Sequence, residues 1–426
     1  MKAIMIGRAA LAAVATAVAL VPWGEHDPDQ QQGMSQFALT AQPAALGKLA
    51  LDASEVLAEP ACNATSFAQL PGDASLFIGR RLVTSEGKLA GVSGPNDCSG
   101  GDPANEAKGR PYNRWGLVLD RFDWKTHRFT GVTALLDTSP DPRTGRSRAT
   151  ITGGPMRGLR IRSAYDPSVA RLNNAIFVAF ECTFENGARY GVDQTSSCIS
   201  FYDPDTRKLD MARMLVAVGG EHKGDVFQVS AVPRLLAFDG RLYLYWSALT
   251  IEQGVIKRAT ARGAELIDKG GLVQVKGSAG VIRPFDPLSS EVWAPGGDKM
   301  SNRIVNLMGF WHSGNSFLAF AALGGEGCAE PLGQGQGCFR LAVRRSRTPL
   351  GQNALGRGEN LDLRLPSNPQ EYAAPIVDPA GRRWLMGHFI RPPDNGFADR
   401  APAPPAAYWR ASKRTSALVL LPMNGR

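Results

Sequence analysis

Asp166 stands before Pro167 in Ala164-Tyr165-Asp166-Pro167-Ser168-Val169. Three other stretches share that layout: Ser230-Ala231-Val232-Pro233-Arg234-Leu235, Val292-Trp293-Ala294-Pro295 and Tyr372-Ala373-Ala374-Pro375-Ile376-Val377. Elsewhere the residue before the proline is Val232, Ala294 or Ala374, so Asp166 puts a carboxylate where its counterparts are apolar. The chain has seven Asp-Pro dipeptides, most of which read as turns, and only its place in the repeat singles this one out. Glu291 and Glu371 each lie four residues before a repeat proline, where the copy at Pro233 has Val229. Cleaving a glycosidic bond takes one carboxylic acid to protonate the leaving oxygen and one carboxylate acting on the opposite face. Asp166 with either Glu could supply that pair; taken singly, each Glu also reads as a solvated loop residue. Tyr165 and Trp293 offer aromatic faces to the apolar face of a sugar, or ordinary strand packing.

The elements that must carry these residues read as short strands. After Pro167 come Asn173-Asn174 and Ala175 to Phe180; after Pro233, Asp239-Gly240 and Arg241 to Trp246; after Pro375, Asp378 to Gly381 and Arg382 to Met386. Asp-Gly between apolar runs is a strong hairpin signal. The four prolines are 66, 62 and 80 residues apart. A second repeat, Phe122-Asp123-Trp124-Lys125-Thr126 and Tyr202-Asp203-Pro204-Asp205-Thr206, lies between strand-like runs and predicts an outer hairpin. One further unit opens near Ser75-Leu76-Phe77-Ile78-Gly79. Four-stranded antiparallel sheets repeated at this period bury their faces by packing around an axis. The expected fold is all-β, a five-bladed β-propeller of four-stranded antiparallel blades; a β-sandwich is the competing arrangement. The segments that begin each innermost strand then border a central funnel. His388 falls in a strand expected to be an inner one, where it is a candidate metal ligand or a satisfied core histidine. No cofactor is expected beyond a structural metal in the funnel. There is no Gly-x-Ser-x-Gly elbow, His-Glu-x-x-His or Walker loop.

The Asp166-Pro167-Ser168-Val169 motif, followed by Asn173-Asn174-Ala175-Ile176-Phe177-Val178, resembles the opening blade of the five-bladed glycoside hydrolases. That group includes arabinanases, xylosidases, levansucrases and invertases, with glycoside hydrolase family 43 the nearest in pattern. The resemblance spans about residues 160 to 400 by pattern rather than identity. It implies Asp166 as general base, a second Asp that tunes pKa, and a Glu on a later blade as general acid. Asp286, in Arg283-Pro284-Phe285-Asp286-Pro287, is the candidate for the second Asp. Glu371 and Glu291 stand further upstream of their prolines than the family's acid does.

The N-terminus sets the compartment. Met1-Lys2 to Gly7-Arg8 precedes an apolar run from Ala9 to Val21, the layout of a secretory signal and too short for a membrane span. Residues 1–24 are therefore expected to be a signal peptide, 25–60 a partly disordered tether and 61–426 a single propeller domain, periplasmic or extracellular. Cys62, Cys98, Cys182, Cys198, Cys328 and Cys338 follow, an even number outside the cytoplasm, which suggests three local disulfides. Their spacing argues against zinc. A net charge of +9 suggests nucleic acid, but export argues against that partner and favours a polysaccharide or oligosaccharide of acidic character. A generally basic, solvated surface accounts for the same charge. A monomer is expected. The leading function is a secreted glycoside hydrolase with an Asp base and a Glu acid in the funnel. The alternative is a non-catalytic propeller that binds glycan or scaffolds an envelope complex.

Overall fold

The computed structural model of the chain describes residues 55–58, 67–84, 86–89, 114–126, 128–253, 255–293, 305–313, 315–324, 339–356, 359–360, 372–390 and 416–422. Its regular elements are strands, apart from a 3-10 turn at Gly187–Tyr190. In chain order they are β1 (Glu55–Ala58), β2 (Phe67–Gln69), β3 (Leu76–Leu82), β4 (Trp115–Asp123), β5 (Arg128–Leu136), β6 (Ile161–Leu172), β7 (Ala175–Phe184) and β8 (Gln194–Asp203). Next are β9 (Lys208–Leu209), β10 (Leu215–Lys223), β11 (Val226–Phe238), β12 (Arg241–Glu252), β13 (Val255–Lys269), β14 (Leu272–Val275) and β15 (Ser290–Glu291). The last are β16 (Val305–Ser313), β17 (Ser316–Gly324), β18 (Phe339–Ser346), β19 (Glu359–Asn360), β20 (Tyr372–Val377), β21 (Arg383–Ile390) and β22 (Ser416–Pro422).

These strands make five antiparallel units of four. β2 to β5 form the first, β6, β7, β8 and β10 the second, β11 to β14 the third, β16 to β19 the fourth, and β20, β21, β22 and β1 the fifth. The second and third share a ladder through β10 and β11. Neighbouring units pack in succession. Trp115 N–H donates to Ser163 Oγ (3.2 Å) from the first to the second. Leu235 N–H donates to Ser168 Oγ (2.9 Å) between the second and third. Tyr245 meets Phe310, and Phe238 meets Phe317, each at 5.0 Å, between the third and fourth. Arg383 lies 4.8 Å over the Trp311 ring between the fourth and fifth. The ring closes where Gln69 Nε2 donates to Val377 O (2.7 Å) and Val377 N–H donates back to Gln69 Oε1 (3.1 Å). Phe67, Phe77 and Phe122 pack there with Ile376 and Met386. Five sheets in a closed succession are the five-bladed β-propeller, and the sandwich is excluded.

Local chemistry explains the blades. Asp239 and Gly240 both take left-handed φ (50° and 68°), as a two-residue hairpin between twisted strands requires. The paired outer turns are real counterparts. Asp123 Oδ1 accepts from Lys125 N–H (2.8 Å) and Oδ2 from Thr126 Oγ1 (2.9 Å), while Asp203 makes the same bonds to Asp205 and Thr206 (2.9 and 2.8 Å). These bonds hold both carboxyls below the usual range. Cys182 and Cys198 are joined between β7 and β8. The other four cysteines lie outside the described residues, as do positions 1–54.

Three expectations change. β1, inside the stretch expected to be a tether, pairs antiparallel with β22 and completes the fifth blade, so the propeller takes strand from upstream of residue 61. The first blade opens at β2, and Leu76–Leu82 is its second strand. His388 lies on β21, the second strand of its blade, opposite Tyr372 and Leu418 rather than on the innermost strand.

Candidate functional site

β6 carries one extra residue against β7: Tyr165 faces Glu181 and the next pair is Ser168 with Ala179. β11 does the same against β12, where Ala231 faces Ser247 and Arg234 faces Tyr245. Such a bulge bends the strand and re-aims a side chain. Its first residue is left-handed in both blades, with φ 47° at Asp166 and 51° at Val232, a conformation that Asp tolerates better than most residues and that is most costly for a β-branched one. β16 shifts register between Leu307 and Gly309, which puts Met308 at the same place. β20 runs past Ala374 with no shift. The counterparts are therefore Asp166, Val232, Met308 and Ala374, spaced 66, 76 and 66 residues.

Ala294, expected in this set, is outside the described residues, and its neighbours belong elsewhere. β15 pairs with β13 of the third blade, and Trp293 lies two residues after it. The bulge, not the proline, marks the equivalent position.

Strand register extends the comparison to the second strand. The residues facing this point are Glu181, Ser247, Ala321 and Gly387. The second blade alone among these four carries carboxyl groups at both positions. Glu181 was missed in the sequence, although the signal was there: it follows Asp166 by 15 residues, as Ser247 follows Val232.

Three blades supply the surroundings. Asp166 is 2% exposed, its Oδ1 3.4 Å from Nη1 of Arg80 on β3. The Arg80 guanidinium lies 5.0 Å over the Trp115 ring. From β11, Arg234 Nη1 donates to the Asp166 backbone carbonyl (3.3 Å) and to that of Pro233 (2.8 Å). Glu181 is 3% exposed, and its Oε2 accepts from Val232 N–H (3.0 Å), so the bulge of the third blade holds the carboxyl of the second. Burial first, and then the neighbouring Asp166 charge, push Glu181 up to about 8, against the Val232 N–H, Arg80 and Arg234. Both effects favour the protonated form of Glu181. Tyr165 is half-buried beside Trp115, with ring centroids 6.5 Å apart, and burial raises its hydroxyl. Arg81 is answered by Asp120, both of whose oxygens it meets at 2.7 and 2.8 Å.

The other expected residues are placed differently. Glu291 faces Arg262 across the β15–β13 pairing. Asp286 shapes a turn: its Oδ1 accepts from Leu288 N–H (2.8 Å), and its carbonyl accepts from Arg262 Nη2 (3.1 Å) and Ser289 Oγ (2.6 Å). Neither is among the charged groups that act on Glu181. Trp293 is 3% exposed in the apolar cluster with Phe310 and Leu355, so its ring is core rather than a sugar platform. Glu371 lies outside the described residues, just before β20. Among the described residues no group of three or more His, Cys, Asp or Glu side chains is arranged to hold a metal, and no helix is long and apolar enough to cross a membrane.

No family model matches the chain, and no curated protein matches it. Among solved structures it is similar to the native arabinanase of Bacillus subtilis, at 10% identity over 86% of this chain and 97% of that one, with a TM-score of 0.44. It is also similar to the GH43_1 enzyme of Xanthomonas citri complexed with xylose (10% identity, 89% and 92% covered, TM-score 0.44). A thermostable family-43 glycoside hydrolase is a third (11% identity, 82% and 86% covered, TM-score 0.44). Likeness at this level assigns neither an activity nor a role to any residue.

Proposed function

We propose that this protein is an exported glycoside hydrolase acting on polysaccharide or oligosaccharide, with Asp166 as its base. One observation carries the reading: the second blade brings two carboxyl groups together, Asp166 and Glu181, at positions where three other blades have Val232 and Ser247, Met308 and Ala321, Ala374 and Gly387. Two carboxyls in one buried site, with Glu181 pushed up by burial and by the Asp166 charge, are suited to acid–base work. Asp166 would take a proton from the water that attacks the anomeric carbon, and the glycosidic oxygen would leave with a proton from a second carboxylic acid. That acid must act from the other side of the sugar. Glu181, on the strand next to Asp166, cannot flank a sugar with it; holding its proton, it is the partner that positions and tunes the base. Glu371, which precedes Tyr372 in the sequence, is the acid proposed. Export rests on the apolar run Ala9 to Val21 behind a basic start.

A non-catalytic propeller is favoured by a different observation. Asp166 is buried and ion-paired to Arg80, and with Arg234 this polar junction ties three blades together. Sugar release by the purified protein over a panel of polysaccharides separates the two readings. Release that disappears in Asp166→Asn supports the hydrolase. Binding without release, unchanged in Asp166→Asn, overturns it.

A further inference from the structure

The two left-handed bulges meet across one seam, and each is held from the other side. In the second blade Asp166 takes φ 47°, and its backbone carbonyl accepts from Arg234 Nη1 of the third blade (3.3 Å). In the third blade Val232 takes φ 51°, and its N–H donates to Glu181 Oε2 of the second (3.0 Å). Leu235 N–H, donating to Ser168 Oγ (2.9 Å), joins the same two strands just beyond the bulges. Arg234 Nη1 also donates to the carbonyl of Pro233 (2.8 Å), so one nitrogen bridges the backbones of both bulges.

The fourth blade supplies the comparison. Its innermost strand has the same single extra residue, at Met308, yet Met308 is not left-handed. Two places after the bulge stand Ser168 in the second blade, Arg234 in the third and Phe310 in the fourth. Phe310 packs on Tyr245, with ring centroids 5.0 Å apart. In the two blades where φ is left-handed, a side chain of the neighbouring blade bonds the backbone of the bulge residue. The extra residue alone does not bring that conformation. A strained residue persists where its surroundings over-determine it, and these bonds are such surroundings.

Arg234 is 0% exposed, and a guanidinium so placed is costly unless its N–H groups are met. An aromatic ring fills the corresponding place in the fourth blade, so packing does not require a charge there. The bond to the Asp166 carbonyl is something no apolar side chain could make. Holding that carbonyl fixes ψ at Asp166, and with φ set by the bulge the direction of its Cβ follows. Arg80, from the first blade, meets the carboxylate itself (3.4 Å), whereas this bond from Arg234 is to the backbone.

We propose that Arg234 is a positioning residue for the Asp166 base, holding from the third blade the backbone turn that aims the carboxylate. The inference rests on the hydrolase reading and adds to it a residue that acts through another.

Steady-state kinetics on a polysaccharide that the whole protein cleaves, with melting temperature as the check on folding, tests it. Arg234→Met keeps the stem and removes the donors. Its kcat falls about 10- to 100-fold, the cost of a reacting group displaced by up to about 1 Å, while KM stays within about twofold. Arg234→Lys, which retains charge and donors, recovers most of kcat. Arg262→Met, on β13, removes another buried guanidinium of the third blade, one bonded to Ser289 and Asp286, and keeps the parent's kcat whatever its melting temperature. Should Arg234→Met fail to fold, Ser168→Ala carries the test. It removes only the acceptor of Leu235 N–H, loosens the same seam and lowers kcat several-fold.

Unchanged kcat in a folded Arg234→Met overturns the positioning role. So does a rise in KM at constant kcat, or an equal loss of kcat in Arg262→Met. With Arg234→Met unfolded, an unchanged kcat in Ser168→Ala overturns it as well. In each case cleavage that disappears in Asp166→Asn leaves the hydrolase standing. Cleavage of no polymer by the parent sinks the hydrolase, and this role with it.

Discussion

The second and third blades have one backbone and two chemistries. Both bend their innermost strand by a single extra residue held at left-handed φ, and both follow it with a turn seven residues on, at Asn173 and Asp239. In equivalent positions the second has Tyr165, Asp166, Glu181, Cys182 and Cys198, and the third Ala231, Val232, Ser247, Ala248 and Arg262. The bulge is thus a shared structural device, present whether or not a carboxylate sits on it. What marks a site is the side chain placed on that device. The third blade still contributes, since its Val232 N–H and Arg234 hold the polar groups of the second.

The sharpest way to break the comparison is to exchange the side chains and keep the bulge. On the proposed hydrolase reading, Asp166→Asn should lose about 10²- to 10⁴-fold in turnover, the usual worth of general-base assistance, with glycan binding kept. Val232→Asn also suits left-handed φ and keeps the N–H that Glu181 accepts, so it should cost far less. Equal losses in steady-state turnover would mean that the shape of the bulge matters and the carboxylate does not.

Next in size is the covalent difference. Cys182 and Cys198 are 16 residues apart and bridged, where the third blade has Ala248 and Arg262 at the same register. Closing a loop of that length restrains the unfolded chain by about 3 kcal/mol in the chain-entropy account. The double variant Cys182→Ala with Cys198→Ala should lose stability of that order in denaturant unfolding. Under reducing conditions the parent should lose as much, and a parent indifferent to reductant would contradict the bridge.

Glu181 against Ser247 gives a pH signature. The folded carboxyl titrates at about 8 against 4.5 for the free group. The raised value means that its stabilisation is fully present below pH 4.5 and lost as pH rises through 8. Melting temperature should therefore fall across that window. Glu181→Gln, always neutral, should flatten the fall, and parallel curves for parent and variant would show that the carboxyl is not buried as described.

How much of this could be read from the chain follows the same contrast. Asp166 stood out in the sequence because a repeat supplied two of its structural counterparts, Val232 and Ala374, and the blades were legible because turn signals recur at their period. Proline proved a loose marker: Pro295 follows a short strand of the third blade, while the bulge of the fourth falls on Met308, with no proline beside it. Glu181 needed the strand register, which fixes which residue of β7 faces the bulge. β1 was hidden because Glu55–Ala58 is a strand of four residues whose partner, β22, lies at the far end of the chain. Pairing at such separation leaves no local trace.

The smallest expected effect lies in the two hairpin turns. Asp239 and Gly240 are both left-handed and exposed in the third blade, whereas in the second Asn173 is left-handed and Asn174 is not. A Cβ added at Gly240 would meet nothing within 4 Å, so any cost there is purely one of backbone conformation. Holding a non-glycine residue in that region costs roughly 1–2 kcal/mol, offset in part because alanine narrows the unfolded ensemble. Gly240→Ala should therefore destabilise by about 1 kcal/mol, and Asn174→Ala, with no such conformation to hold, should stay within about 0.5 kcal/mol of the parent. Denaturant unfolding resolves this pair if the slope is unchanged, because the midpoint alone then reports stability. Equal effects would mean that the two turns share one geometry, and that the difference between these blades is confined to the residues around Asp166.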